Sequence, residues 1–278
     1  MPSPTEISVA QLARLVGTPD APILIDVRID DDYSTDPRMI PASFRRDYRR
    51  IEEWTDAFHG RKVVVSCQKG LKLSQGAAAW LRHSGADAQS LEGGFEAWRA
   101  AAEMLVDLTK ITNRDASGRS IWVTRARPKV DRIACPWLIR RFVDPEAVFL
   151  FVAPSEVSAV AERFGAMPFD IDDVFWSHRG DVTSPDHTCT FDTMVSEFGL
   201  GSPALLHLAR IVRAADTARP ELALQAEGLL AASLGLSRMF RDDLRQLEAG
   251  MLLYDAFYRW CRDGVEETHN WPNPGKKG

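Results

Sequence analysis

Cysteine is scarce in this chain: four stand among 278 residues, scattered, with no C-x-x-C and no paired framework. A disulfide-stapled fold is excluded, and a reducing compartment, where a reactive thiol survives, is the expectation. Long apolar runs are missing as well. Nothing approaches the roughly 20 residues that span a bilayer, so the chain cannot itself be a membrane pump. The first residues, Met1-Pro2-Ser3-Pro4-Thr5-Glu6, lack a basic region followed by an apolar core, and no secretory signal is expected. A soluble, cytoplasmic protein without membrane partners follows. Positive charge is not in excess either: 34 Lys and Arg face 39 Asp and Glu, a net charge of −5. With no basic recognition helix visible, nucleic acid is not an expected partner. There are no internal repeats and no low-complexity tract. What is plentiful is apolar content, 45% of the residues, enough for a sizeable core at a length that suggests about two domains.

The pattern changes character near the middle. Over 1–108, short β-branched runs alternate with helical spacing. Strands are expected over 23–27 and 62–66, with helices over 8–16 (capped at Ser8), 46–58 and 95–102. Such alternation predicts an α/β domain with a mostly parallel sheet covered by helices. Residues 109–120 are polar and turn-rich, a linker. Over 121–264, short strands at 121–124 and 147–152 precede helices predicted over 203–214, 222–234 and 237–261. This second domain should be mainly α-helical with a small β element. Residues 265–278 read as a disordered tail.

The run Val63-Val64-Val65-Ser66-Cys67-Gln68-Lys69-Gly70-Leu71-Lys72 carries the clearest chemistry. A strand delivers one cysteine into a compact loop, and a helix follows. That turn directs several backbone N–H groups and the positive end of a helix dipole at one small bowl. With two lysines nearby, Cys67 should ionise more readily than a free thiol, and the thiolate is the nucleophile. A lone cysteine at a strand end is by default a small buried hydrophobe. Here the glycine, the lysines and the following helix favour a nucleophile that attacks an anionic, sulfur-bearing substrate.

Five landmarks resemble a rhodanese domain, the sulfurtransferase fold, and stand in that family's order. They are Ile23-Leu24-Ile25-Asp26-Val27-Arg28, Asp32-Tyr33, Ile40-Pro41-Ala42-Ser43, the six residues Cys67 to Lys72, and Leu91-Glu92-Gly93-Gly94-Phe95-Glu96-Ala97-Trp98. The resemblance implies a persulfide on Cys67. It would be loaded from a small anionic donor such as thiosulfate and discharged to a thiol or cyanide, with no cofactor. Gln68, Lys69, Gly70, Leu71 and Lys72 would bind the donor. The family often carries arginine directly after the cysteine and at the loop's end; here those places hold Gln68 and Lys72, and lysine offers no bidentate fork. Asp26 and Arg28 read as an internal ion pair.

The run from Trp122 through Asp144, with Arg-Pro-Lys-Val-Asp-Arg-Ile-Ala-Cys-Pro-Trp-Leu at its centre, resembles the opening of the ChrB-type chromate-resistance domain. Later segments around His178, Cys189-Thr190-Phe191-Asp192, Ala215-Asp216-Thr217 and Ala232 to Ser237 agree. This resemblance implies a role in handling or sensing chromate, alongside a separate chromate exporter. In the same region His178, Asp181, Asp186, His187, Cys189 and Asp192 crowd together, and Asp216 ends a helix. For a divalent, zinc-like ion the candidates are His178, Cys189, Asp192 and Asp216, ahead of His187. An ordinary polar loop with a buried cysteine is the plainer reading.

Two further features stay open. Arg125, Arg127, Lys129, Arg132, Arg140 and Arg141 could hold an oxyanion, or form a solvated face paired to Asp131 and Asp144. Pro136 either kinks a helix or begins one. In the second geometry Cys135 lies at a positive helix end and is a candidate second thiol. Two readings of the whole follow: a sulfurtransferase acting through Cys67, or an oxyanion or redox sensor that binds chromate or sulfate without turnover.

Overall fold

A computed structural model describes residues 4–267 except 182, 183 and 185. Its first half contains β1 (Glu6–Ile7), α1 (Val9–Leu15), β2 (Ile23–Asp26), α2 (Asp30–Thr35), β3 (Ser43–Arg45), α3 (Ile51–Trp54), β4 (Lys62–Ser66), α4 (Lys72–His83), β5 (Asp87–Leu91) and α5 (Gly94–Ala100). The five strands form one parallel sheet in the order β1-β5-β4-β2-β3. The buried Val63, Val64 and Val65 place β4 at its centre, where both faces are covered. Ser8 caps α1 by accepting from the Gln11 amide, and the Gln11 side chain returns the bond to the Ser8 amide, a capping box. The Asp26–Arg28 pair is internal: the guanidinium meets the carboxylate at 2.7 Å, donates to the Asp36 carbonyl and lies 3.8 Å from the centre of the Phe95 ring.

The second half contains β6 (Ile121–Arg125), α6 (Asp131–Leu138), β7 (Val148–Val152), α7 (Val157–Phe164), β8 (Met167–Pro168), α8 (Thr190–Glu197), α9 (Pro203–Asp216), α10 (Ala226–Met239) and α11 (Asp243–Arg259). A small parallel sheet, β7-β6-β8, stands against this helical body.

Two expectations are corrected, and the alternative left open at Pro136 is settled. Residues 46–58 do not form one amphipathic helix; α3 is a single turn flanked by 3-10 turns at Tyr48–Arg50 and Thr55–Phe58. Local anchors outweigh the periodicity there. Asp47 accepts from the Arg49 amide through its side chain and from the Trp54 indole through its carbonyl, and Phe58 packs on Phe44 and Trp54. The stretch 237–261 is divided, because Phe240 is extended, its carbonyl binds the Arg127 guanidinium, and Asp242 caps a new helix at Arg245. Pro136 lies inside α6, which starts at Asp131, and the chain continues as a wider π turn over Ile139–Val143. From 268 onward, the tail expected to be disordered lies outside the described residues.

The halves share one core. A single apolar cluster runs from Leu12, Phe95 and Trp98 through Trp122, Trp137, Phe142, Trp176 and Phe198. At Gly17, where φ is +77°, an added Cβ would stand 2.3 Å from the Phe142 ring. Backbone bonds cross the same seam: the Ala42 amide donates to the Phe142 carbonyl at 2.7 Å, and the Asp107 amide to the Phe198 carbonyl at 3.0 Å.

Candidate functional site

Cys67 follows the last residue of β4, at the carboxyl end of a central strand, where open α/β sheets place their ligands. The loop is pinned from outside through its carbonyls. Phe95 and Glu96 donate to the carbonyls of Cys67 and Gln68 at 2.9 and 3.0 Å, and the Gln75 side chain reaches the Gly70 carbonyl at 3.3 Å. Among the described residues no protein acceptor takes the amides of Gln68, Lys69, Gly70 or Leu71. Four backbone donors in the loop that carries the sulfur are therefore without a protein acceptor among the described residues, as in loops that bind anions.

Glycine is required by close approach here. A Cβ on Gly94 would meet the Cys67 carbonyl oxygen at 2.2 Å and the Gly70 nitrogen at 2.4 Å. One on Gly70 would meet the Gly93 and Gly94 nitrogens at 2.6 Å. The Gly-Gly motif thus lets a second loop lie directly against the cysteine loop.

Cys67 is buried, with 4% of the residue exposed, and its Sγ lies 3.2 Å from the Ser74 hydroxyl. Ser74 is buried in the first turn of α4. Lys69, Leu71 and Lys72 are exposed around the loop. Sequence reasoning missed Ser74; its signal was a small hydroxyl residue in the first turn of the helix that follows the cysteine loop.

The second-domain cluster differs from the set expected. Asp131, Asp170, His178 and Asp216 converge, with one oxygen or nitrogen from each lying within 4.8 Å of the others. His178 Nε2 lies 3.6 Å from Asp131, 3.3 Å from Asp170 and 3.2 Å from Asp216. Hydrogen bonds to Asp170 and Asp216 push this imidazole up to about 10, while burial and the neighbouring carboxylates hold Asp131 well above the usual carboxylate range. Four separate segments build the cluster: the start of α6, the chain after β8, the loop before α8 and the end of α9.

His178 and Asp216 from the expected set are present, whereas Cys189 and Asp192 belong to another structure. The Asp192 carboxylate accepts the Cys189 amide at 3.0 Å, closing the first turn of α8, and faces Arg213 at 3.2 Å. Burial pushes the Cys189 thiol well up, away from the ligand form. His187 stands behind His178, Nε2 to Nδ1 at 3.3 Å. Asp131 and Asp170 were missed because Asp131 read as a charge partner within the basic run. In fact Arg125 and Arg132 pair with Asp170, Arg140 with Glu248, Arg141 with Asp255, and Asp144 with Arg114. Cys135 does not fit the second-thiol expectation. It is enclosed inside α6 rather than at a helix start, and burial pushes its thiol well up.

Among the described residues no helix is long and apolar enough to cross a membrane. Family comparison matches 122–261 to the ChrB C-terminal domain and 8–101 to the rhodanese-like domain. Among curated proteins the chain is 34% identical to Protein ChrB of Cupriavidus metallidurans over 139 residues, 49% of this chain and 39% of that protein. It therefore spans about two fifths of that relative's length. It is 32% identical to the thiosulfate sulfurtransferase GlpE of Pseudoalteromonas translucida over 97 residues, 34% of this chain and 89% of that protein. Solved structures that match include a rhodanese-like domain protein from Staphylococcus aureus, at 23% identity, TM-score 0.31, and coverage of 34% of this chain and 90% of that one.

Proposed function

Because the chain belongs to the ChrB C-terminal domain family and carries a rhodanese-like domain ahead of that region, we propose that it is a sulfurtransferase working through a Cys67 persulfide. The observation that carries this reading is the single sulfur beside four unclaimed backbone amides at the first turn of α4. The Cys67 thiolate attacks the outer sulfur of a thiosulfate-like dianion. A new S–S bond forms, the donor's own S–S bond breaks, and sulfite leaves with that electron pair. A thiolate or cyanide then attacks the terminal sulfur of the persulfide, takes it, and returns Cys67 as thiolate. Amides and the exposed ammonium groups of Lys69 and Lys72 stabilise the dianion and the persulfide anion. The Ser74 hydroxyl donates to the sulfur in its charged form and keeps it oriented.

The second domain ties this chemistry to chromate, with a separate exporter as its functional partner, in a cytoplasmic setting. Chromate, sulfate and thiosulfate are all tetrahedral dianions of matching charge, and one bowl of amides can accept each. The test is thiocyanate formation from thiosulfate and cyanide by the full chain. Turnover that falls at least about 10³-fold in Cys67→Ser is the expected result, since loss of a nucleophile leaves only binding and amide contributions. Absent turnover together with saturable chromate or sulfate binding would replace the enzyme with the sensor.

A further inference from the structure

The geometry points to a divalent-cation site in the second domain, formed by the carboxylates of Asp131, Asp170 and Asp216 and by Nε2 of His178. Mutual spacing is the first support. Around an ion with bonds of about 2.1 Å, ligand atoms stand roughly 3.0 to 4.2 Å apart, and the three His178 contacts fall at 3.2, 3.3 and 3.6 Å.

A second, separate line comes from behind the ring. His187 Nδ1 faces the Gly180 carbonyl at 3.3 Å, so that nitrogen carries the hydrogen. Its Nε2 is then the acceptor for His178 Nδ1–H at 3.3 Å. The relay orients His178 with Nε2 toward three carboxylates, and in the neutral ring that nitrogen presents a lone pair. Metal-bound imidazoles are held in this way, through the other ring nitrogen.

The third line is Asp131 itself. The residue is 0% exposed, its Oδ1 meets no donor at hydrogen-bond geometry, and the Cys189 thiol is its neighbour. The other oxygen, Oδ2, accepts the Thr190 and Phe191 amides at 2.6 and 3.3 Å and faces His178. A carboxylate buried with one oxygen unsatisfied is costly unless it takes up a proton or a cation completes it, and a cation shared with Asp170, Asp216 and His178 would answer all four groups at once. Arg125 and Arg132 neutralise Asp170 but leave Asp131 and Asp216 without a cationic side chain other than His178 among their ion pairs.

Three oxygens and one imidazole nitrogen, with no sulfur, form a hard donor set that suits Mn²⁺, Fe²⁺ or Zn²⁺. It needs no thiolate. The site is reachable, since the side chains of His178 and Asp216 are 31% and 18% exposed.

Mn²⁺ alone is the probe. The full chain, stripped with chelator, is titrated with Mn²⁺ while the free-ion EPR signal is recorded. One equivalent should be taken up. Asp216→Asn and His178→Ala, each with unchanged circular dichroism, should weaken binding by at least about tenfold, the lower bound set by loss of outer-shell partners. Cys189→Ser should bind like the parent. Absence of stoichiometric uptake overturns the site, as does uptake untouched by both ligand variants. Loss of binding in folded Cys189→Ser would overturn the all-oxygen-and-nitrogen ligand set.

Discussion

The cysteine loop and the acidic cluster are built in opposite ways. The loop is contiguous: six residues, Cys67 to Lys72, supply the sulfur, the amides and the charges, with Ser74 only two positions further on. The cluster takes one residue from each of four segments between Asp131 and Asp216, so no short window of sequence contains it. A site made mainly of backbone amides can be carried by one turn. A site made of converging side chains has to wait for the packing of the helices that bear them. The first should therefore respond to local backbone changes, and the second to changes in the shared core.

Four substitutions test that contrast. The largest effect is expected from Phe142→Ala, which empties the seam where the ring meets Gly17, Trp137 and Tyr258. A loss of about 3–5 kcal/mol is expected. Denaturation followed by tryptophan fluorescence and by Cys67 reactivity should show one transition in the parent and two in the variant. Coincident transitions in the variant would mean that the halves do not depend on this contact.

Gly94→Ala comes next. Its Cβ would collide with backbone on the cysteine loop at a residue whose φ is +62°. Of the order of 1–3 kcal/mol should be lost, and thiocyanate formation should disappear while the second domain keeps its near-UV signal. Retention of turnover within twofold would refute the close-packed loop.

The third test is one of pH. In the metal-stripped protein His178 is raised from 6.5 to about 10. Its folded value lies above the unfolded one, so the stability it contributes is complete below about pH 6.5 and is lost as pH rises through about 10. The melting temperature of the stripped parent should fall between pH 7 and 10 more steeply than that of His178→Gln. Parallel curves would mean the imidazole gains nothing from its carboxylates.

Ser74→Ala is the smallest. Removing a net bond of about 0.5–1.5 kcal/mol should slow alkylation of Cys67 by iodoacetamide roughly two- to tenfold. An unchanged rate would remove Ser74 from the thiol's support.

The same contrast governs what could be read before folding. Strand β4, the capped α1 and the internal Asp26–Arg28 pair rest on neighbours within a few residues or on a repeated period, and the Gly93-Gly94 motif, distant in sequence from Cys67, was visible through the rhodanese resemblance. They were legible. The second domain's helices were visible as periodicity, but the break at Phe240 was not, because the Arg127 guanidinium that takes its carbonyl lies more than a hundred residues away in sequence. Half of the acidic cluster was found, since His178 and Asp216 are conspicuous polar residues in their segments. Asp131 stayed hidden among arginines whose partners, Asp170, Glu248 and Asp255, lie in other elements. Cys189 and Asp192 suggested ligands by residue type alone, whereas their spacing of three was the signature of a helix start.

At Ala42 φ is +63°, a handedness alanine resists by about 1–2 kcal/mol. The amide that holds it there ends on the carbonyl of Phe142, across the seam. Separated from its neighbour, the first domain would let this residue relax, and its backbone resonance would move. The residue is thereby an intrinsic reporter of whether the two halves are seated on one another, read from its own backbone resonance in isotope-labelled protein.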